Sequence, residues 1–230
     1  MAEVKIAGPD RKDKAKAPDV CLVTDRMILN GRPLADAVRD ALAGGIKAVQ
    51  LREKDLSARE LLRLARDLRE LTDEYGALLF VNDRLDIARL SNADGVHLGQ
   101  QGVPAKEARR FLGKDFLIWV STHGIDEAVE AEDMGADAIT FGPVYFTESK
   151  ARYGEPLGIE ALRSAAKCVK IPVYAIGGIN KSRVKDVISA GAQGVCLISA
   201  VLGASDMAKE ALGIERAVHD AKGIFSARQT

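Results

Sequence analysis

From Asp19 onward the chain alternates short apolar runs with longer amphipathic stretches. Eight runs read as buried strands: Val20–Thr24, Ala48–Leu51, Leu78–Val81, Gly95–Leu98, Leu117–Val120, Ala138–Phe141, Val173–Ile176 and Gly194–Ile198. Between most of them the apolar period lengthens to that of a helix. The clearest case is Ala58–Tyr75, where Leu61, Leu62, Leu64, Ala65 and Leu68 share one stripe. A weak repeat marks four helix-to-strand joints: Ala43-Gly44-Gly45-Ile46, Asn92-Ala93-Asp94-Gly95-Val96, Gly135-Ala136-Asp137-Ala138-Ile139 and Gly191-Ala192-Gln193-Gly194-Val195. Each places Gly or Asn where a helix end calls for a left-handed residue. Eight reiterated strand–helix units in one domain predict an α/β fold, a single (β/α)8 TIM barrel. A doubly wound open sheet is the competing architecture. Against it, Thr24-Asp25-Arg26 follows the first strand, not a Gly-x-Gly-x-x-Gly turn.

Composition adds boundaries. Residues 1–18 are rich in Lys, Asp and Ala, contain Pro9 and Pro18, and read as a flexible tail; residues 19–230 form the barrel. The formal net charge is +0, so no global basic field draws nucleic acid or an anionic membrane. No apolar run approaches the roughly 20 residues of a membrane helix. Three cysteines, Cys21, Cys168 and Cys196, show neither disulfide nor metal spacing. The expectation is a reduced, cytoplasmic protein acting on small molecules, compatible with a homo-oligomer.

In a barrel of this kind the loops after the strands build the site, so the residues there carry the chemistry. Gln50, Arg52 and Lys54 alternate, and an extended backbone would aim all three into one cleft, where an anion neutralises the cations. Val81-Asn82-Asp83 follows strand three. Asp83 could hold a divalent cation and Asn82 a phosphate, or the pair could cap a helix. His97, on strand four, reads as a satisfied barrel-lining histidine. Ser121-Thr122-His123 offers two hydroxyls and an imidazole; a helix cap explains the hydroxyls but not His123. The long segment after strand six supplies Thr147, Ser149 and Lys150. Gly177-Gly178 after strand seven and Ile198-Ser199 after strand eight suit a backbone phosphate cradle, or serve tight turns only. Two anion sites follow, one Lys/Arg-rich and one glycine-lined. Such a pair suits a monophosphate acceptor facing a pyrophosphate donor, with Asp83 supporting Mg²⁺.

Seven segments, in order, resemble thiamine phosphate synthase: Gln-Leu-Arg-Glu-Lys at 50–54, Val-Asn-Asp at 81–83, Gly-Val-His-Leu-Gly-Gln at 95–100, Ser-Thr-His at 121–123, Gly-Pro-Val-Tyr-Phe-Thr-Glu-Ser-Lys at 142–150, Ile-Gly-Gly-Ile at 176–179 and Ile-Ser-Ala at 198–200. The resemblance implies a barrel enzyme that joins hydroxymethylpyrimidine diphosphate to thiazole phosphate and releases pyrophosphate. It implies that Gln50 contacts the pyrimidine. Arg52, Lys54, Asn82, Ser121 and Lys150 would hold pyrophosphate, and Thr147, Ser149, Gly178, Ile198 and Ser199 the thiazole phosphate. With His123 as a further acid/base candidate, the expected catalytic set is Gln50, Arg52, Lys54, Ser121, His123 and Lys150, and the metal ligand is Asp83. One departure stands out: the family's second Mg²⁺ carboxylate falls at Gly102. A sister branch of this fold isomerises a carboxythiazole phosphate with a histidine placed like His123; a non-catalytic phosphate-binding barrel is the third alternative.

Overall fold

The structure, a computed structural model, describes residues 17–147 and 155–226. The tail predicted for residues 1–18 falls almost wholly outside them. Eight parallel strands close into a barrel in sequence order: β1 (Val20–Val23), β2 (Ala48–Leu51), β3 (Leu78–Asn82), β4 (Gly95–Leu98), β5 (Leu117–Thr122), β6 (Ala138–Phe141), β7 (Val173–Ile176) and β8 (Gly194–Leu197). β8 pairs back onto β1 with Cys21 opposite Cys196. The helices α1 (Leu34–Ala43), α2 (Ala58–Glu74), α3 (Leu85–Leu90), α4 (Ala105–Leu112), α5 (Ile125–Asp133), α6 (Gly158–Cys168), α7 (Val184–Ser189), α8 (Ser199–Leu202) and α9 (Met207–Ser226) complete the described chain. The fold is thus the expected (β/α)8 barrel. Among the described residues no helix is long and apolar enough to cross a membrane.

Each strand divides its residues between two cores, because successive side chains face opposite ways. Outward residues such as Leu22, Val49, Leu79 and Val81 meet the helices. Inward residues Cys21, Ala48, Phe80, Trp119, Tyr174 and Cys196 fill the barrel. The Trp119 ring lies 4.2 Å from Tyr174, stacked, and 4.5 Å from Phe80. Gly95 and Gly194 leave room for this cluster. A Cβ on Gly95 would stand 2.7 Å from the Phe80 ring, and one on Gly194 2.9 Å from that of Tyr174.

The predicted repeat has a physical basis. Gly45, Asn92, Gly135 and Gly191 all take positive φ at the ends of helices. The Asp at two of these joints does matching work. Asp94, before β4, accepts the N–H of Leu79 in β3 (2.8 Å) and pairs with Arg69 of α2. Asp137, before β6, accepts the N–H of Ile118 in β5 (2.7 Å) and pairs with Arg109 of α4 (2.6 Å). Each carboxylate ties a strand start to the helix that precedes it.

On α9, Glu215 is half-buried, and its Oε1 has no hydrogen-bond partner among the described residues. Burial, and then the Asp19 charge, push its carboxyl up to about 7, against the pull of Lys222 and Lys47. The folded chain therefore holds a proton that the unfolded chain releases near pH 4.5, and stability falls as pH rises from there through about 7. Glu215→Gln is expected to flatten that decline and to raise the melting temperature at about pH 8; thermal melts between about pH 5 and 8 check it. Asp94→Ala leaves the buried Arg69 only Asp73 (2.9 Å) and the Ala77 carbonyl (3.2 Å), leaves the Leu79 N–H without its acceptor, and is expected to cost about 2–3 kcal/mol. Asp137→Ala, at a more exposed pair, is expected to cost less; urea unfolding of both variants gives the comparison.

Candidate active site

The inward-facing positions change character along the strands. Above the aromatic cluster they become polar: Gln50 on β2, Asn82 on β3, His97 on β4, Ser121 on β5 and Thr140 on β6. These five line the floor of a cavity of about 560 Å³ at the carboxyl ends of the strands. Arg52, Thr147, Gly178, Ile198 and Ser199 line its walls. Eight of the expected site residues thus meet in one space: Gln50, Arg52, Asn82, Ser121, Thr147, Gly178, Ile198 and Ser199. Ser149 and Lys150 lie outside the described residues.

A buried chain of hydrogen bonds connects the floor. Gln50 Nε2 donates to Asn82 Oδ1 (2.9 Å), and Gln50 Oε1 lies 2.6 Å from His97 Nδ1. His97 Nε2 lies 3.1 Å from both Thr140 Oγ1 and Ser121 Oγ. Asn82 Nδ2 donates to Asp83 Oδ2 (2.7 Å), and the Gly99 N–H donates to Asp83 Oδ1 (2.7 Å). These bonds decide two readings that the sequence left open. The cap position of α3 is Arg84, without a side-chain cap bond, so the Asn82-Asp83 pair is not a helix cap. The cap position of α5 is Gly124, so the hydroxyls of Ser121 and Thr122 are not caps either. Thr122 instead donates to the Thr140 carbonyl (3.1 Å).

Three expected residues are not in the cavity lining: Asp83, which sits behind Asn82, and Lys54 and His123, which stand further apart. Lys54 does not line the cavity and is exposed in a turn. The alternation read over residues 50–54 stops where the ladder stops, at Leu51. Beyond it Glu53 turns inward, 6 % exposed, and accepts from the Arg26 N–H (3.2 Å) and Nη1 (3.1 Å). Asp55 also pairs with Arg26, which holds its carboxyl below the usual range. The carboxylates beside Arg52 are therefore occupied by Arg26, and Arg52 has no ion pair among the described residues. His123 likewise lies off the cavity. Its Nδ1 is 3.5 Å from Glu127 Oε2, an oxygen that already accepts the His123 N–H (2.7 Å).

The paired glycines have a steric cause as well. The segment after β6 crosses the one after β7, with Val144 N bonded to Ile176 O (2.9 Å) and Tyr145 N to Gly177 O (3.1 Å). A Cβ on Gly177 would stand 2.5 Å from Pro143 Cβ, and one on Gly178 2.4 Å from the Phe146 carbonyl oxygen. Both take positive φ. Arg183 completes the crossing: it donates to the Gly178 carbonyl (2.5 Å) and lies 4.3 Å over the Tyr145 ring. Cys196 also lines the cavity, but burial pushes its thiol well up, so it offers no thiolate nucleophile.

Two carboxylates stand near the site: Asp25 lines the cavity and accepts the Met27 N–H (3.1 Å), and Asp83 lies beside Asn82, outside the lining. Among the described residues no cluster of three acidic, His or Cys side chains could hold a metal. At the departure noted above, a Cβ on Gly102 would stand 2.8 Å from Asp83 Oδ1 and 3.0 Å from the Gly99 carbonyl oxygen. A second carboxylate at residue 102 would need the 99–102 turn to shift. A Mg²⁺ held by a single carboxylate would take its other ligands from substrate phosphate and water.

His97, Thr140, Arg26 and Glu53 are parts of this arrangement that sequence reasoning did not place in the site. Polar residues at inward positions of apolar runs were the available signal for the first two. Arg26 and Glu53 meet across a separation of 27 residues, which no local pattern reports.

A closed parallel barrel with a cavity at the carboxyl end of its strands, polar on its floor and partly apolar on its walls, has the architecture of a (β/α)8-barrel enzyme. Comparison with known proteins narrows the class. The family model of thiamine monophosphate synthase matches residues 20–201. A thiamine-phosphate synthase of Moorella thermoacetica is 48% identical over 205 residues, covering 89% of this chain and 98% of that protein. One of Clostridium novyi is 46% identical over 186 residues, covering 81% and 91%. The solved structure of a thiamine phosphate pyrophosphorylase from Pyrococcus furiosus superimposes with a TM-score of 0.81 at 39% identity, covering 88% of this chain and 96% of that one. The chain belongs to the thiamine monophosphate synthase family.

The crossing at Gly178 yields a direct test. Gly178→Ala places a methyl group against the Phe146 carbonyl oxygen at a positive φ, and is expected to cost about 1–3 kcal/mol. Arg183→Ala removes the cation–π contact and the bond to Gly178, and is expected to cost about 1–2 kcal/mol. Thermal denaturation measures both.

Proposed function

We propose that this protein joins hydroxymethylpyrimidine diphosphate to thiazole phosphate, giving thiamine phosphate and pyrophosphate. The observation that carries the reading is one cavity shared by the expected binding residues. Gln50, Arg52, Asn82 and Ser121 face it from β2, β3 and β5, while Gly178, Ile198 and Ser199 face it from β7 and β8. Its size is within the range of small-molecule sites and suits two adjacent heterocycles. On this reading Arg52, Asn82 and Ser121 take the diphosphate, as charge-assisted donors do. The Gln50 amide meets the aminopyrimidine edge. Thr147, Ser199 and the backbone at Gly178 and Ile198 take the thiazole phosphate. Ser149 and Lys150 remain assigned to the phosphates from the sequence alone.

The reaction needs one bond broken and one made. The C–O bond between the pyrimidine methylene and the diphosphate breaks, and its electron pair leaves with pyrophosphate. The thiazole nitrogen lone pair then forms the new C–N bond. The aminopyrimidine ring can carry the methylene cation between these events, so the barrier is mainly one of charge separation. Arg52 and the hydroxyl of Ser121 act on the departing charge, and the cavity holds the nitrogen close to the carbon it attacks. Asp83 would hold Mg²⁺, which when bound supplies further charge neutralisation to the leaving diphosphate. Isomerisation through His123 finds no support, since that ring does not face the cavity.

Pyrophosphate release from the two substrates, with and without Mg²⁺, tests the reading. Release that depends on both substrates and rises with Mg²⁺ is expected; no release at any Mg²⁺ concentration sinks it. Arg52→Ala is expected to weaken pyrimidine diphosphate binding by roughly 10- to 100-fold, the loss of one charge-assisted contact. Isothermal titration calorimetry measures that change, and unchanged affinity removes Arg52 from the role.

A further inference from the structure

The buried chain of hydrogen bonds has a direction, set from one end. An ionised carboxylate only accepts. The Asn82 atom beside Asp83 Oδ2 is therefore its Nδ2 donor, and Asn82 Oδ1 faces Gln50. Gln50 must present Nε2 to that oxygen, which leaves Oε1 facing His97 Nδ1 at 2.6 Å. An oxygen acceptor needs a donor opposite it, so Nδ1 carries the hydrogen. At the far side of the ring one nitrogen meets two hydroxyls, each at 3.1 Å. A single lone pair takes one hydrogen. Thr140 is 2 % exposed, and His97 is the hydrogen-bond partner of its Oγ1 among the described residues, whereas Ser121 is only half-buried.

We propose that His97 is a positioning residue for the transfer: as the neutral Nδ1–H tautomer it locks the Gln50 amide for the pyrimidine, and by taking its second hydrogen bond from Thr140 it leaves the Ser121 hydroxyl hydrogen for the diphosphate. This rests on the functional reading above. Without the ring, the Gln50 side chain keeps its bond to Asn82 but loses the partner of its oxygen, and the amide can rotate. The cost falls on recognition of the pyrimidine substrate and not on the thiazole phosphate, whose contacts lie across the cavity on β7 and β8. Thr140 is the second positioning residue. Its loss transfers the demand of His97 Nε2 to Ser121, whose hydrogen is then withdrawn from the anion.

Nitrogen-15 NMR of the full chain tests the tautomer directly. The chain has three histidines, so His123→Gln and His219→Gln assign the signals. A protonated Nδ1 and a lone pair on Nε2 are expected for His97; the reverse tautomer, or an imidazolium near neutral pH, overturns the proposal. Steady-state kinetics supply the second arm. His97→Ala is expected to raise KM for the pyrimidine diphosphate roughly tenfold, the loss of about one well-made hydrogen bond, and to leave KM for the thiazole phosphate unchanged. His97→Asn, which can keep a donor near the Nδ1 position, is expected to recover most of the loss. Equal effects of Ala and Asn, or equal shifts in both KM values, overturn the positioning role. Should His97→Ala fail to fold, His97→Asn, Thr140→Val and the NMR arm still decide. Thr140→Val is expected to raise KM for the pyrimidine diphosphate alone, and no change removes Thr140 from the role. The functional reading fails separately, on absence of pyrophosphate release by the wild type or on unchanged pyrimidine affinity in Gln50→Ala.

Discussion

A closed barrel must fill its own interior, and here three aromatic rings do so. Phe80, Trp119 and Tyr174 meet across the barrel, with Gly95 and Gly194 making the space they need. This arrangement sets the level at which everything else happens. Below the top of the cluster the inward positions are apolar; above it, on β2 to β6, they are polar and face a cavity that Val23 of β1 and Ile176 of β7 line with apolar side chains. The buried polar side chains are affordable only because each finds a partner in the ring of strands, from Thr140 on β6 round to Asn82 on β3. Remove the aromatic floor and the floor of the site has nothing to stand on.

The same economy of partners shapes the rim. Arg26 reaches from the segment after β1 to Glu53 and Asp55 in the segment after β2, joining two loops that share no ladder bond beyond the strand ends. Thr24 Oγ1 accepts the Arg52 N–H (2.9 Å) across the same gap. Arg52 is thereby fixed by its backbone while its carboxylate neighbours are occupied elsewhere. On the opposite wall the segments after β6 and β7 are held by backbone bonds, by two glycines at contact distance and by Arg183 over Tyr145. One wall is organised by charge and the other by close backbone approach.

Asp83 links the network to the question of the metal. Its two oxygens already accept from Asn82 and Gly99, so it is an oriented carboxylate and not a free one. Gly102 lies so near that a side chain there would press on Asp83 Oδ1. The turn after β4 is thus shaped around a single carboxylate. The orientation of Asp83 serves the hydrogen-bond chain by itself.

The sequence by itself determined the architecture and most of the cast. Period-two apolar runs and period-3.6 stripes are local signals, and they placed the eight strands to within a residue or two and marked the left-handed joints at Gly45, Asn92, Gly135 and Gly191. Ser121 was read into the loop and lies on β5. Side-chain direction inside a strand follows from the pleat, so the inward placement of Gln50 was legible too. Direction beyond a strand end was not. Lys54 and Glu53 exchanged the places that alternation assigned them, because Arg26, far away in sequence, pulls Glu53 inward. His97 looked like an ordinary lining residue, and Thr140 drew no reading, until closure of the barrel put the His97 ring within hydrogen-bond distance of Gln50, Thr140 and Ser121. His123 looked like site chemistry until its ring settled beside Glu127 of the following helix, off the cavity. What the tertiary structure decided is partnership: which donor meets which acceptor depends on strands brought together by closure, and no local pattern in the chain carries that information.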